Sequence, residues 1–331
     1  IEVWYGTLMS NTATTIVISD GFRETTYSGS FTYSLSGVNG TVDSIVEKSG
    51  GSTLYTVEDM DVSASALYDA IQLQGDAQLA ATIIAAGDDI GYGSNSGDTI
   101  LAFTGDDYID GKGGNDRLYD GKGNDTILGS AGNDYVRVGG GVDSFDGGEG
   151  TDYISYYDSS GGITADLAKN TISGSWGSND AINSFEGISG SKNGGDNIRG
   201  TSGANVIKTY GGNDRVEAGK GSDRVELGSG NDYVRVGGGK ETFDGGSGKD
   251  YISYYDSKGG IRIDLRDDEV SGSWAVNDKI EDFESASGSK VGNDSMLGTS
   301  GSNTLKSYGG DDTLYGRGGS DKLYGGSGED F

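Results

Sequence analysis

The feature that most constrains this fold is a register of nine residues that begins near Ser94 and recurs in three runs. In a typical nonapeptide an acidic residue follows glycine by two positions and precedes one apolar residue by two, as in Gly114, Asp116 and Leu118. A fixed period of this kind is typical of repeat architectures, in which each short unit buries its apolar face against the next. The register therefore predicts a solenoid with one core residue per nonapeptide.

The register divides the chain into six segments. An N-terminal segment, residues 1–85, is followed by a first run at 86–152, an interruption at 153–195, a second run at 196–250, a second interruption at 251–293 and a third run at 294–331. The third run is shorter than the second, which predicts a truncated unit and a natural chain that continues beyond Phe331. The register aspartates are Asp98, Asp107, Asp116, Asp125, Asp134, Asp143, Asp152, Asp196, Asp214, Asp223, Asp232, Asp250, Asp294, Asp312 and Asp321. The accompanying turn glycines are Gly105, Gly114, Gly123, Gly132, Gly141, Gly212, Gly221, Gly230, Gly310 and Gly319.

A second period of 98 residues contains the first. It relates Asp152 to Asp250, and the two interruptions are copies that begin YISYYDSSGGITADL and YISYYDSKGGIRIDL. Three positions of the register do not carry Asp: Asn205 and Asn303 offer a neutral amide oxygen, and Glu241 is a longer acid. Asp89 also fits the register, but Gly91 stands where the apolar residue is expected.

The chemistry of one nonapeptide, GKGGNDRLY at residues 111–119, points to calcium. Its glycines allow turn conformations that other residues resist, so that backbone carbonyls can point at one ion. The aspartate adds a carboxylate, and the three residues after it form a short strand whose middle residue, Leu118, enters the core. Two nonapeptides make one coil of 18 residues, so every second aspartate stacks on one edge. Hard oxygen ligands in a flexible cage suit Ca²⁺ better than Mg²⁺.

The core of such a coil is thin, and this predicts that the metal is needed for folding. One apolar residue per nonapeptide cannot offset the entropy of ordering the backbone. Binding energy then becomes folding energy, and the runs are expected to be largely disordered without calcium. One ion for each pair of stacked turns predicts roughly 12–14 Ca²⁺ ions. Their charge is similar in size to the net charge of −28.

Composition excludes several other functions. A net charge of −28 disfavours nucleic acid and anionic lipid as partners. The chain has no Cys and no His, which excludes disulfides, Cys-ligated metal centres and the commonest general base. No apolar run is long enough to span a bilayer. With 63 Gly residues and 20 Tyr residues among Val, Ile and Thr, the composition favours strands and turns.

The nonapeptide is similar to the GGxGxDxUx repeat of RTX (repeat-in-toxin) proteins, over residues 94–331. This resemblance implies an all-β fold, a parallel β-roll, with calcium held by the register aspartates and turn glycines. It also implies type I secretion, in which the chain stays unfolded in the low-calcium cytosol and folds outside the cell. The resemblance implies an extracellular location, either free or associated with a cell surface.

The N-terminal segment has a different pattern. Alternating apolar and polar residues over 1–60 predict a meander of about five strands, and residues 63–74 predict one short helix. A solenoid end needs a cover for its first coil, so we expect a small, mainly β capping domain. A partner-binding or assembly domain is the alternative.

The interruptions allow two interpretations. Their aromatic residues could stack on sugar rings or could pack inside the fold, and equal copies at fixed offsets favour packing. GITADL and GIRIDL alternate as strands, which predicts that the solenoid continues through wider coils. Asp180 and Asp278 are candidates for one further ion each. The aromatic residues concerned are Tyr156, Tyr157 and Trp176, with their copies Tyr254, Tyr255 and Trp274.

Three functions are compatible with this pattern. The first is a secreted, non-enzymatic structural or adhesive protein that self-associates into arrays or filaments or binds a cell-surface or polysaccharide partner. The second is the calcium-binding C-terminal repeat region of a secreted protease, lipase or polysaccharide-modifying enzyme whose catalytic domain is absent. The third is a sugar- or ice-binding module. Repetition throughout, without an HExxH or GxSxG motif, favours the first.

Overall fold

The structure is a computed structural model of the chain. It describes residues 87–331 except Ser178 and Val276, and before residue 87 the backbone of seven strands. Almost all regular structure in the described residues is β, and the one helix among them is a 3-10 turn over Leu167–Lys169. Within the same residues, no helix is long and apolar enough to cross a membrane.

The N-terminal segment forms an antiparallel meander in which β1 to β5 pair in chain order, and β6 pairs with β4. Its last long strand, β5, pairs antiparallel with β8 (Ile90–Tyr92), the first short strand of the roll. The predicted helix at 63–74 lies outside the described residues except for Ser63, which belongs to β6. The strands are β1 (Thr7–Asn11), β2 (Thr15–Ser19), β3 (Arg23–Ser34), β4 (Gly37–Ser49), β5 (Ser52–Glu58) and β6 (Val62–Ser63).

Chain contacts divide the protein into two compact units, of which the N-terminal unit comprises residues 1–154 and 179–185. Its roll consists of short parallel strands that alternate between two sheets. One sheet contains β8, β10 (Tyr108–Asp110), β12 (Thr126–Leu128), β14 (Ser144–Asp146) and β18 (Ala181–Asn183). The other contains β7 (Ala81–Ala86), β9 (Thr99–Thr104), β11 (Arg117–Tyr119), β13 (Tyr135–Arg137) and β15 (Tyr153–Ser155).

The strand register confirms the predicted coil of 18 residues. Ile109 pairs with Ile127 in one sheet, and Leu118 pairs with Val136 in the other. In this unit each strand of three residues buries its middle residue, as expected for side chains that alternate across a sheet. The apolar residues two positions after the register aspartates therefore form the core, and Leu118 is fully buried.

The C-terminal unit comprises residues 155–178 and 186–331 and repeats this architecture. Its strands pair in parallel at the same offset, for example Val216 with Val234 and Val225 with Phe243. The strands are β16 (Ile163–Asp166), β17 (Thr171–Gly174), β19 (Gly187–Ser189), β20 (Asn197–Arg199), β21 (Val206–Lys208), β22 (Arg215–Glu217), β23 (Arg224–Glu226), β24 (Ser229–Gly230), β25 (Tyr233–Arg235), β26 (Thr242–Asp244), β27 (Ser247–Gly248), β28 (Tyr251–Ser253), β29 (Ile261–Asp264), β30 (Glu269–Gly272), β31 (Lys279–Glu281), β32 (Ser285–Ser287), β33 (Ser295–Leu297), β34 (Thr304–Lys306), β35 (Thr313–Tyr315) and β36 (Lys322–Tyr324).

The interruptions form strands, as predicted, but each adds an antiparallel hairpin rather than only a wider coil. β16 pairs antiparallel with β17 and in parallel with β20, while β29 pairs antiparallel with β30 and in parallel with β33. Tyr156 and Tyr254 are fully buried, so the packing interpretation holds for this pair and sugar stacking does not. Tyr157 and Tyr255 instead meet Tyr210 and Tyr308 edge to face, with ring centroids 4.7 Å apart in both copies.

Candidate metal centre

The register aspartates lie in columns along the edges of the roll. In each column the Oδ1 atom of one aspartate accepts a hydrogen bond from the backbone N–H of the register residue one coil earlier. The distance is 2.7 Å from Asp107 N to Asp125 Oδ1 and 2.8 Å from Asp125 N to Asp143 Oδ1. The same contact joins Asp98 to Asp116, Asp116 to Asp134, Asp134 to Asp152, Asp196 to Asp214, Asp214 to Asp232, Asp232 to Asp250, Asp294 to Asp312 and Asn303 to Asp321.

The turns between strands stack so closely that they require glycine. Gly123 has φ +139°, and a Cβ built on it would overlap the carbonyl oxygen of Gly105 in the preceding coil. Other L-residues rarely adopt this conformation, and the carbonyl leaves no room for a side chain. Nine of the ten predicted turn glycines have φ between +102° and +146°, and the tenth, Gly141, would meet the carbonyl of Gly123. The predicted glycines thus place rows of carbonyl oxygens beside the carboxylates.

The second carboxylate oxygen of most register aspartates has no hydrogen-bond partner although it is buried. A buried, unpaired carboxylate oxygen is strongly unfavourable unless a cation neutralises it. Carboxylate and carbonyl oxygens are the ligands that Ca²⁺ prefers, so this oxygen-rich arrangement fits several calcium ions. The atoms concerned are Oδ2 of Asp107, Asp116, Asp125, Asp134, Asp143, Asp214, Asp223, Asp232, Asp250 and Asp312.

Burial shifts the acidity of the same groups. It raises the pKa of Asp116, Asp125, Asp223 and Asp250 to about 7, although the hydrogen bond from the preceding coil lowers each pKa in part. Without a cation, these carboxyl groups would be partly protonated near neutral pH. A bound cation removes the need for that proton, because it stabilises the charged form directly.

The first aspartates of the runs differ from the rest. Asp98 Oδ2 accepts hydrogen bonds from Ser94 N at 2.6 Å and from Ser94 Oγ at 2.9 Å. Asp196 Oδ2 accepts one from Ser191 N at 3.0 Å, and Asp294 Oδ2 accepts one from Ser289 N at 2.9 Å. The structure therefore gives these three aspartates local turn partners, whereas ten aspartates inside the runs, those listed above, keep a buried Oδ2 without a hydrogen-bond partner.

Asn205 and Asn303 close turns in the same way. Asn205 Oδ1 accepts a hydrogen bond from Thr201 N at 2.7 Å, and Asn205 Nδ2 donates one to the Glu186 carbonyl at 2.9 Å. Asn303 repeats both contacts, with Nδ2 only 2.6 Å from the Glu284 carbonyl. An amide serves here because the position needs a donor and an acceptor at once, which a carboxylate does not offer.

Sequence reasoning singled out two acidic residues beyond the register, Asp180 and Asp278, but missed a third, Glu284. Asp180 Oδ1 accepts from Asp143 N at 3.0 Å and Asp278 Oδ1 accepts from Glu241 N at 2.9 Å, so both extend a column past an interruption. Glu284 Oε2 takes the same role towards Asp250 N at 2.8 Å, although it lies outside the register. The 98-residue period could have identified it, because Glu186 is its copy in the first interruption. Asp89, set aside for its missing apolar partner, is buried.

Comparison with known proteins agrees with this geometry. The family model described as RTX calcium-binding nonapeptide repeat (4 copies) matches residues 84–118, 119–154, 192–225, 218–252 and 292–331, which together make up just over half of the chain. No match was found among curated proteins. The repeats form a β-roll that binds several calcium ions. The chain belongs to the family of RTX calcium-binding nonapeptide repeat proteins.

Proposed function

We propose that this chain is a secreted, non-enzymatic protein whose roll folds when it binds calcium outside the cell. The observation that carries the proposal is the row of buried carboxylate oxygens without hydrogen-bond partners along the roll. Such a structure is unfavourable without cations, and its core of one apolar residue per strand adds little to offset that. The low calcium of the cytosol would keep the chain unfolded for export, and the higher calcium outside would fold it.

The role of the folded roll is structural or adhesive, within a surface array or filament. Repetition supports this, because the described roll is built from the same short strands and turns throughout. A cell-surface polysaccharide is the alternative partner.

Circular dichroism of the full chain tests the folding step. We expect β-structure to appear when Ca²⁺ is raised from chelated to millimolar levels and to disappear again with EDTA, whereas Mg²⁺ at the same concentration should have little effect. A spectrum that is the same in EDTA and in Ca²⁺ would contradict calcium-dependent folding. Electron microscopy and light scattering of the calcium-loaded protein then separate filaments or arrays from monomers.

A further inference from the structure

One buried carboxylate falls outside the register of aspartates. Asp120 follows strand β11 and is fully buried, five residues before Asp125. The residues one coil before and after it are Ala102 and Val138, which are also buried. Asp120 therefore places a charge-bearing side chain in a row that is otherwise apolar at its neighbouring positions. An acid at such a position is costly unless something in the structure binds it.

The two oxygens of Asp120 have different surroundings. Oδ1 accepts a hydrogen bond from the backbone N–H of Gly139 at 2.6 Å. Oδ2 is buried and has no hydrogen-bond partner. The Oδ2 atoms of Asp125 and Asp143 are likewise buried without a hydrogen-bond partner. Three buried acids thus each keep one oxygen free.

These three acids face one another. One carboxylate oxygen from each of Asp120, Asp125 and Asp143 lies within 4.8 Å of the other two. Within the described part of the chain this is the one group of three or more acidic, His or Cys side chains that meets so closely. Like charges at this distance repel strongly in a buried site, and a cation between them converts the repulsion into attraction.

We propose that Asp120, Asp125 and Asp143 form a three-carboxylate calcium site that binds its ion more tightly than the other turns of the roll. The nonapeptide pattern supplies one carboxylate from each turn, and Asp120 adds a third from the position where that pattern has glycine. Calcium affinity rises with the number of charged ligands. A site with three negative charges also suits a trivalent lanthanide, which is a hard cation of similar ligand preference.

The second copy of the 98-residue period provides the natural comparison. Ala218 stands at the position of Asp120, with Asp223 and Glu241 at the positions of Asp125 and Asp143. Ala218 is fully buried, so the fold accepts alanine here. The tight site is therefore a property of the first copy and does not follow from belonging to the family. The assignment of this tight site rests on the calcium binding of the proposed function, but it does not rest on secretion or on an adhesive role.

Terbium luminescence of the full chain tests the proposal. The protein is first folded in saturating Ca²⁺, and Tb³⁺ is then titrated in while tyrosine-sensitised emission is recorded. For the wild-type chain we expect one site to exchange Ca²⁺ for Tb³⁺ ahead of the others. Asp120→Asn, which keeps the shape, and Asp120→Ala, which installs the residue of the second copy, should each weaken that site by about 10–100-fold.

Two controls make the result decisive. Glu149→Gln removes one charge from an exposed residue outside the site and should leave the first Tb³⁺ transition unchanged. Circular dichroism in saturating Ca²⁺ shows that each variant has folded, and if Asp120→Asn does not fold, Asp120→Ala serves in its place. An unchanged first transition in a folded Asp120 variant would overturn the proposal and make Asp120 a protonated core residue. In a crystal structure of the wild-type chain with one equivalent of Tb³⁺, anomalous density between the three carboxylates would support it, and density elsewhere would contradict it.

Discussion

The carboxylate column of the N-terminal unit and its copy in the C-terminal unit share a scaffold but differ in charge. Asp107 N lies 2.7 Å from Asp125 Oδ1, and the matching distance from Asn205 N to Asp223 Oδ1 is 2.9 Å. At the column ends, Asp143 N and Glu241 N donate to the next aspartate at 3.0 Å and 2.9 Å. The backbone contact thus tolerates Asp, Asn or Glu as its donor residue.

This difference separates two requirements that the nonapeptide pattern combines. The side-chain oxygen at the register position first has to accept one backbone N–H, and Asp and Asn both do so. It then contributes charge to an ion site, and here the two copies diverge at positions 107, 120 and 143. The copies should therefore respond alike when the scaffold is changed and differently when the charge is changed.

Of the changes considered, a fall in pH should have the largest effect on the stability of the calcium-free roll. Burial raises the pKa of Asp116 and Asp125 to about 7, and it raises the pKa of Glu241 further with help from Asp278. Because the folded state holds these protons more tightly than the unfolded state, their contribution to stability is complete below about pH 4 and is lost as the pH rises through about 7. In EDTA we expect β-structure to increase from pH 8 to pH 4, measured by circular dichroism. Calcium-loaded protein should show the opposite trend, since protons compete with the ions, and equal trends would contradict this account.

Shortening a core side chain should have the second-largest effect on stability, and it should destabilise both copies. Leu118 and its copy Val216 are both fully buried. Leu118→Ala should lower the free energy of unfolding by about 2–5 kcal/mol in saturating Ca²⁺. Val216→Ala should cost less, by about 0.8 kcal/mol for the one methylene fewer that it removes. Urea denaturation measures both, and an effect confined to one copy would show that the two cores are not equivalent.

Turn glycines should also behave alike in the two copies. Gly123 and its copy Gly221 have φ of +139° and +123°, and a Cβ on either would overlap a carbonyl of the preceding coil. Gly123→Ala and Gly221→Ala should each destabilise the roll by about 1–3 kcal/mol or more. Gly140→Ala is the matched control, because a Cβ there meets nothing within 4 Å. Thermal unfolding in saturating Ca²⁺ compares the three, and a control as damaged as the other two would argue against the steric explanation.

The smallest expected effect concerns Asn205. Asn205→Asp restores the residue of the first copy but loses the hydrogen bond from Nδ2 to the Glu186 carbonyl. We expect a loss of about 1–3 kcal/mol in stability and no gain in calcium affinity, measured by urea denaturation at several Ca²⁺ concentrations. The reverse change, Asp107→Asn, keeps the acceptor for Asp89 N and should weaken calcium binding while the fold is retained. A gain in calcium affinity for Asn205→Asp would contradict the assignment of Asn205 to turn closure.

Much of the fold and the candidate site could be predicted because the determinants are local. Leu118 and Ile109 could be assigned to the core from their place two residues after an aspartate, and the pairing of coils 18 residues apart confirms it. The 18-residue spacing also places Asp107, Asp125 and Asp143 in one column, and their hydrogen bonds confirm it. The antiparallel hairpins of the interruptions could not be predicted, because an alternating pattern is compatible with parallel and with antiparallel partner strands.

The order of the amino acids is sufficient to specify the repeat, the strand and turn positions, the core residues and calcium as the metal. Each of these depends on residues within nine or eighteen positions of one another, where the periodicity sets the geometry. Three contacts become visible only in the folded chain: Asn205 closes a turn, Glu284 joins a column and Asp120 faces Asp125 and Asp143. Those contacts join residues that lie off the register or beyond an interruption, and their proximity depends on how successive coils stack. A period in the sequence specifies which residues repeat, whereas the neighbours of a residue that does not repeat are set by packing.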